Sequence, residues 1–78
     1  GVHPGFADLM VLCAGRVLFL ELKSLKGRLS PAQEAFRDEV TVQGFGWALV
    51  RSLDDALGAL ADHGFTTRVS PPVRRPAP

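Results

Sequence analysis

Leu9-Met10-Val11-Leu12-Cys13-Ala14-Gly15-Arg16-Val17-Leu18-Phe19-Leu20-Glu21-Leu22-Lys23 is the stretch whose reading decides the fold. Two apolar runs flank Ala14-Gly15, a pair that suits a tight hairpin turn, so the pattern predicts antiparallel strands over residues 9–13 and 16–23. Apolar residues occupy both alternating faces of both runs, as in strands covered on each side, and both are expected in the interior of a sheet. If Ala14 and Gly15 are the central turn residues, Cys13 lies opposite Arg16 and paired positions sum to 29. Asp8 then stands opposite Glu21 on one face, and Lys23 shares that face by the period of two. Cys13 alternates onto the other face, where it is expected as a small core residue.

Moving outward, Gly1-Val2-His3-Pro4-Gly5 is turn chemistry. Downstream, Ser30-Pro31-Ala32-Gln33 is a helix start: Ser30 as N-cap, proline in the first turn, and Gln33 placed to close a capping box. Ala32, Ala35, Phe36 and Val40 fall near helical spacing, Glu34, Arg37, Asp38 and Glu39 line the other side, and Gly44 and Gly46 stop the run. Trp47-Ala48-Leu49-Val50 reads as a short strand. Ser52-Leu53-Asp54-Asp55 opens a second helix with acids in its first turn, and that helix is expected to end before Gly64. Strand, crossover helix and strand make a βαβ unit, which sets its two strands parallel in one sheet. The fold class is therefore α/β. Residues 70–78, Ser-Pro-Pro-Val-Arg-Arg-Pro-Ala-Pro, carry four prolines and no periodic apolar pattern, and are expected to be a disordered tail behind a domain at 1–69.

Seventy-eight residues allow one domain, and 46% hydrophobic with 22% charged residues suits a folded chain. The net charge of +1 supplies no global field, so a nucleic-acid partner would have to be held by a local basic patch. A single cysteine excludes an internal disulfide and any site of several Cys ligands, which fits a reducing cytoplasm. The longest apolar stretches are far shorter than a membrane span, and no signal peptide is visible.

The chemistry concentrates at one end of the hairpin. Two carboxylates at cross-strand distance among apolar strands repel each other, and the arrangement costs stability unless a cation compensates. A hard divalent ion suits such oxygens, and usually keeps positions open for a substrate phosphate. Lys23 would orient a water or offset negative charge on that phosphate. With Lys23, the loop residues Lys26 and Arg28 form the one dense basic patch of the folded part, favouring phosphate contact. Gln33 is a capping partner of Ser30, a site residue, or both; His3 is expected to be solvated, and Arg74 and Arg75 to lie in a solvated tail. The bland alternative is an ordinary same-face ion pair between Glu21 and Lys23.

Gly5-Phe6-Ala7-Asp8-Leu9, then Val17-Leu18-Phe19-Leu20-Glu21-Leu22-Lys23-Ser24, then Lys26-Gly27-Arg28-Leu29-Ser30-Pro31-Ala32-Gln33, resemble in order and spacing the signature of the VRR-NUC branch of the PD-(D/E)xK nuclease superfamily, with Ala7 in place of the usual proline. The resemblance runs on through the Trp47 strand and Val50-Arg51-Ser52, to about residue 64. It implies a restriction-endonuclease-like core, with Asp8 and Glu21 as carboxylate ligands of Mg²⁺ or Mn²⁺, the Leu22 backbone carbonyl as a further ligand, Lys23 as the catalytic lysine and Gln33 as the helix glutamine of the signature. The implied activity is metal-dependent endonucleolytic hydrolysis of phosphodiester bonds in structured or branched DNA, of Holliday-junction or flap type. The family fold opens with a helix and a strand ahead of this hairpin; for the sequence from Gly1, the expectation is either that it is a fragment whose preceding residues supply that layer in cis or that a partner chain supplies it. Without that layer in cis, the sheet is expected to pair with a second copy in a two-fold homodimer. Two other readings stay open: a non-catalytic nucleic-acid-binding module or inactive fragment of such a nuclease, and a structural α/β domain with an ordinary ion pair.

Overall fold

The structure is a computed structural model that describes residues 5–65. Its elements follow the order β1 (Leu9–Cys13), β2 (Arg16–Leu22), α1 (Pro31–Val42), β3 (Gly46–Val50) and α2 (Leu53–Asp62). The fold is small mixed α/β, one three-stranded sheet in the order β1-β2-β3 with two helices. His3 and the Pro/Arg tail lie outside the described residues.

The hairpin forms in the expected register. Leu9 pairs with Leu20, Val11 with Leu18 and Cys13 with Arg16. Ala14 and Gly15 both take left-handed backbone, φ 51° and 81°, the pair of values that a two-residue type I′ turn needs to match the twist of its strands. β2 and β3 run parallel, Leu18 beside Gly46 and Leu22 beside Val50, as the crossover through α1 requires. Lys23 falls just past β2, yet its N–H still donates to the Val50 carbonyl at 3.0 Å, so the ladder reaches it.

Alternation along β2 divides the core in two. Phe19 packs with Ala7, Phe36 and Val40 on the α1 face, with Val17 and Trp47 at its margin. Leu18 and Leu20 pack with Val50 and Phe65 on the other face, where α2 contributes Ala56, Ala59 and Leu60. The four-ring cluster on the α1 face is tight, with Phe19 at 5.2 Å from Phe36 and 5.8 Å from Phe6, both edge-on, and Phe45 at 6.3 Å. Helix α1 begins as its sequence requires. The Ser30 hydroxyl accepts from the Gln33 N–H at 3.1 Å and the Ser30 N–H donates to Gln33 Oε1 at 2.9 Å, closing the capping box.

Three expectations need correction. β1 is not interior: it is an edge strand, with Leu9, Met10 and Leu12 between 49% and 64% exposed. Two-sided apolar composition qualifies a strand for burial, but the helices cover β2 and β3 and none lies over β1. Cys13 is for the same reason exposed rather than a core residue. On α1 the buried face narrows to Phe36 and Val40, while Ala32 and Ala35 are exposed. On the face read as polar, Arg37 is half-buried, with its guanidinium 5.9 Å from the centroid of the Trp47 ring and 2.9 Å from Asp38.

Candidate active site

Asp8, Glu21 and Gln33 meet on the α1 face at the open end of the hairpin, and each is placed by a phenylalanine of the ring cluster. Phe6 lies two residues before Asp8, Phe19 two before Glu21, and Phe36 one helical turn after Gln33. The strand period of two puts Phe19 on the face of Glu21 and the helical spacing of three puts Phe36 on that of Gln33; Phe6 and Asp8 precede β1, and Phe6 joins the cluster through its contacts with Phe19 and Phe36. Phe6 and Phe36 are 5.0 Å apart. Packing of the rings thus fixes the backbone that carries the polar groups.

Glu21 is 2% exposed, the one charged residue in the core among the described residues. Gln33 Nε2 donates to its Oε2 at 2.9 Å, while Oε1 is buried with no hydrogen-bond partner. Burial raises the Glu21 carboxyl above its ordinary value near 4.5; the Asp8 carboxylate, within hydrogen-bonding reach, raises it further, and the charge of Lys23 opposes both. Asp8 is exposed, and its Oδ2 accepts from the Leu22 N–H at 2.9 Å where a strand partner would otherwise stand. The N–H and C=O of one strand residue leave by the same edge, so the Leu22 carbonyl is presented on the Asp8 side.

Lys23 is half-buried and close enough for its charge to act on Glu21, yet forms no ion pair among the described residues. An ordinary Glu21–Lys23 salt bridge is therefore not what occupies this end of the sheet. Lys26 and Arg28 are exposed on the loop between β2 and α1. Gln33 performs both roles left open by the sequence, its Oε1 capping α1 and its Nε2 holding Glu21.

Arg51 was not among the candidate residues. Its Nη1 faces the carbonyl oxygens of Ser24, Leu25 and Gly27, the last two at 3.0 and 2.9 Å. The signals in the sequence are its place directly after β3 and within the Val50-Arg51-Ser52 step of the resemblance, and neither points to the loop it holds. Lys23 and Arg51 line one hollow at the C-terminal ends of the parallel strands β2 and β3, shared with Leu53 and Ala56 of α2 and apart from Asp8, Glu21 and Gln33.

The donor set suits a hard divalent cation. A buried carboxylate oxygen lacks a partner, a second carboxylate stands beside it, and a main-chain carbonyl is presented on the same side. Among the described residues no group of three or more His, Cys, Asp or Glu side chains assembles, so further ligands would be carbonyl, water or phosphate oxygens. No described helix is long and apolar enough to cross a membrane. Compared with protein-family models, curated proteins and solved structures, the chain matches none significantly.

Proposed function

We propose that this chain is a metal-dependent endonuclease with a restriction-endonuclease-like core, acting on structured or branched DNA. The observation that carries the reading is the unsatisfied Glu21 oxygen beside the Asp8 carboxylate, an arrangement that is costly alone and favourable around a cation. Asp8, Glu21 and the Leu22 carbonyl would hold Mg²⁺ or Mn²⁺, which supplies acidification of a bound water and polarisation of a phosphate oxygen. The chain's own residues do the rest. Gln33 holds the Glu21 carboxylate in orientation. Lys23 stands at the same end of the sheet, where its ammonium would orient the attacking water and offset charge developing on the phosphate. Lys26 and Arg28 would hold flanking phosphates, contacts that position the backbone without reading sequence.

A mutant pair tests the division of roles. Lys23→Ala should abolish Mg²⁺- or Mn²⁺-dependent cleavage of a four-way junction or flap substrate while calorimetric metal affinity stays close to that of the parent. Glu21→Gln should lose both. Equal metal titrations for the parent and Glu21→Gln, or junction cleavage that survives in Lys23→Ala, would remove the reading. A second reading, a binding module without catalysis, predicts that both variants bind junction DNA as the parent does and that none of the three cleaves it.

A further inference from the structure

The β2–α1 loop is held from outside by one side chain. Arg51, in the step between β3 and α2, turns Nη1 toward three carbonyl oxygens: Ser24, Leu25 and Gly27. Carbonyl dipoles converging on one point repel each other, and a permanently charged guanidinium is the side chain best suited to hold them together. Ser24 O also accepts the Gly27 N–H at 3.1 Å, so the clamp and the turn share an acceptor.

What that loop touches is Lys23. A Cβ placed on Gly27 would lie 3.4 Å from Lys23 Cβ and Cδ, and 3.2 Å from Ser24 Oγ, so the returning chain runs directly along the aliphatic stem of the lysine. The main chain is tied on the same side, with Lys23 N–H on the Val50 carbonyl, one residue before Arg51. Lys23 therefore lies between the end of β3 and a loop that Arg51 keeps closed. Resting on the nuclease reading for its consequence in catalysis, we propose that Arg51 is a positioning residue: it clamps residues 24–27 against the Lys23 stem and so sets the Lys23 ammonium relative to Asp8 and Glu21.

The chain contains two lysines, Lys23 and Lys26, so each serves as reference for the other. Reductive methylation at limiting reagent, read by peptide mass spectrometry, should label half-buried Lys23 several-fold more slowly than exposed Lys26 in the parent. In Arg51→Ala the ratio should approach one, and in Arg51→Lys, whose ammonium keeps the charge and three donors, it should stay near the parental ratio. If circular dichroism shows that Arg51→Ala is unfolded, Arg51→Gln, uncharged and retaining an amide, replaces it with the same expectation. An unchanged ratio in the folded neutral variant overturns the proposal. In junction cleavage the same variant should lose about 100-fold in kcat with unchanged metal affinity, the scale of effect expected from a small misplacement of a catalytic group. A parent that does not cleave removes the nuclease reading and leaves the labelling result to decide the clamp.

Discussion

A carboxyl group whose pKa is raised on folding binds more protons in the folded chain than in the unfolded one. For Glu21, stability is fully present below its ordinary value near 4.5 and is lost as pH rises through the raised folded value. Glu21→Gln removes the titration and keeps an oxygen for Gln33 Nε2 and an N–H for Asp8. In metal-free buffer at pH 8 the variant should therefore melt a few degrees above the parent, and the difference should vanish as pH falls to about 4.5. Charges elsewhere cancel in that comparison. Magnesium should reverse the order by raising the parent's Tm and not the variant's. Melting curves in which Glu21→Gln is less stable at pH 8 without metal would show that the Glu21 charge is compensated within the protein.

Among the elements, the hairpin and the start of α1 were fully legible, because each rests on local chemistry: a two-residue turn between apolar runs, and serine, proline and glutamine at fixed spacing. The placing of Asp8 against Glu21 followed from register alone. What stayed hidden depends on contacts distant in sequence. The exposure of β1 and Cys13 depends on where helices pack, and the Arg51 clamp joins residues more than twenty positions apart. The Asp8 bond to the Leu22 N–H likewise has no counterpart in side-chain pattern. Glycines separate local from distant causes in a measurable way. Gly5 has φ +82°, and a Cβ there would stand 2.3 Å from the Ala32 carbonyl oxygen, so Gly5→Ala should cost about 2 kcal/mol by strain and collision at the first turn of α1. Gly58, inside α2 with nothing near its Cβ position, should behave oppositely, Gly58→Ala gaining roughly 0.5–1 kcal/mol from helix propensity. Urea melts of the two variants check the signs, and a neutral Gly5→Ala would mean that the chain does not enter the sheet across α1.

For the whole molecule, β1 and β3 are the two edges of the sheet among the described residues, and β1 is the one no helix covers. Leu9–Cys13 carries no charge, no proline and no bulge, the usual features that keep an exposed strand from pairing, and all its side chains but half-buried Val11 are exposed. In a solution of this chain alone a second copy is the available partner, so the chain should associate at micromolar concentration, as the sequence reading expects of a two-fold pair. Leu12, 64% exposed, can be changed without opening the core. Light scattering should give a dimer for the parent and a monomer for Leu12→Lys, with circular dichroism unchanged; a monodisperse parental monomer would refute the association.

The amide of Gln33 is committed at both ends, Oε1 to the Ser30 N–H and Nε2 to Glu21. Position 33 therefore answers two chemical questions at once, one for an acceptor at the helix start and one for a donor to a buried carboxylate. Glutamate, the other residue that closes a capping box, answers the first and would set a further negative charge against Glu21. Lysine answers only the second. Asparagine has both atoms but is one methylene short. Of these four side chains, only glutamine lies in the overlap of the two sets.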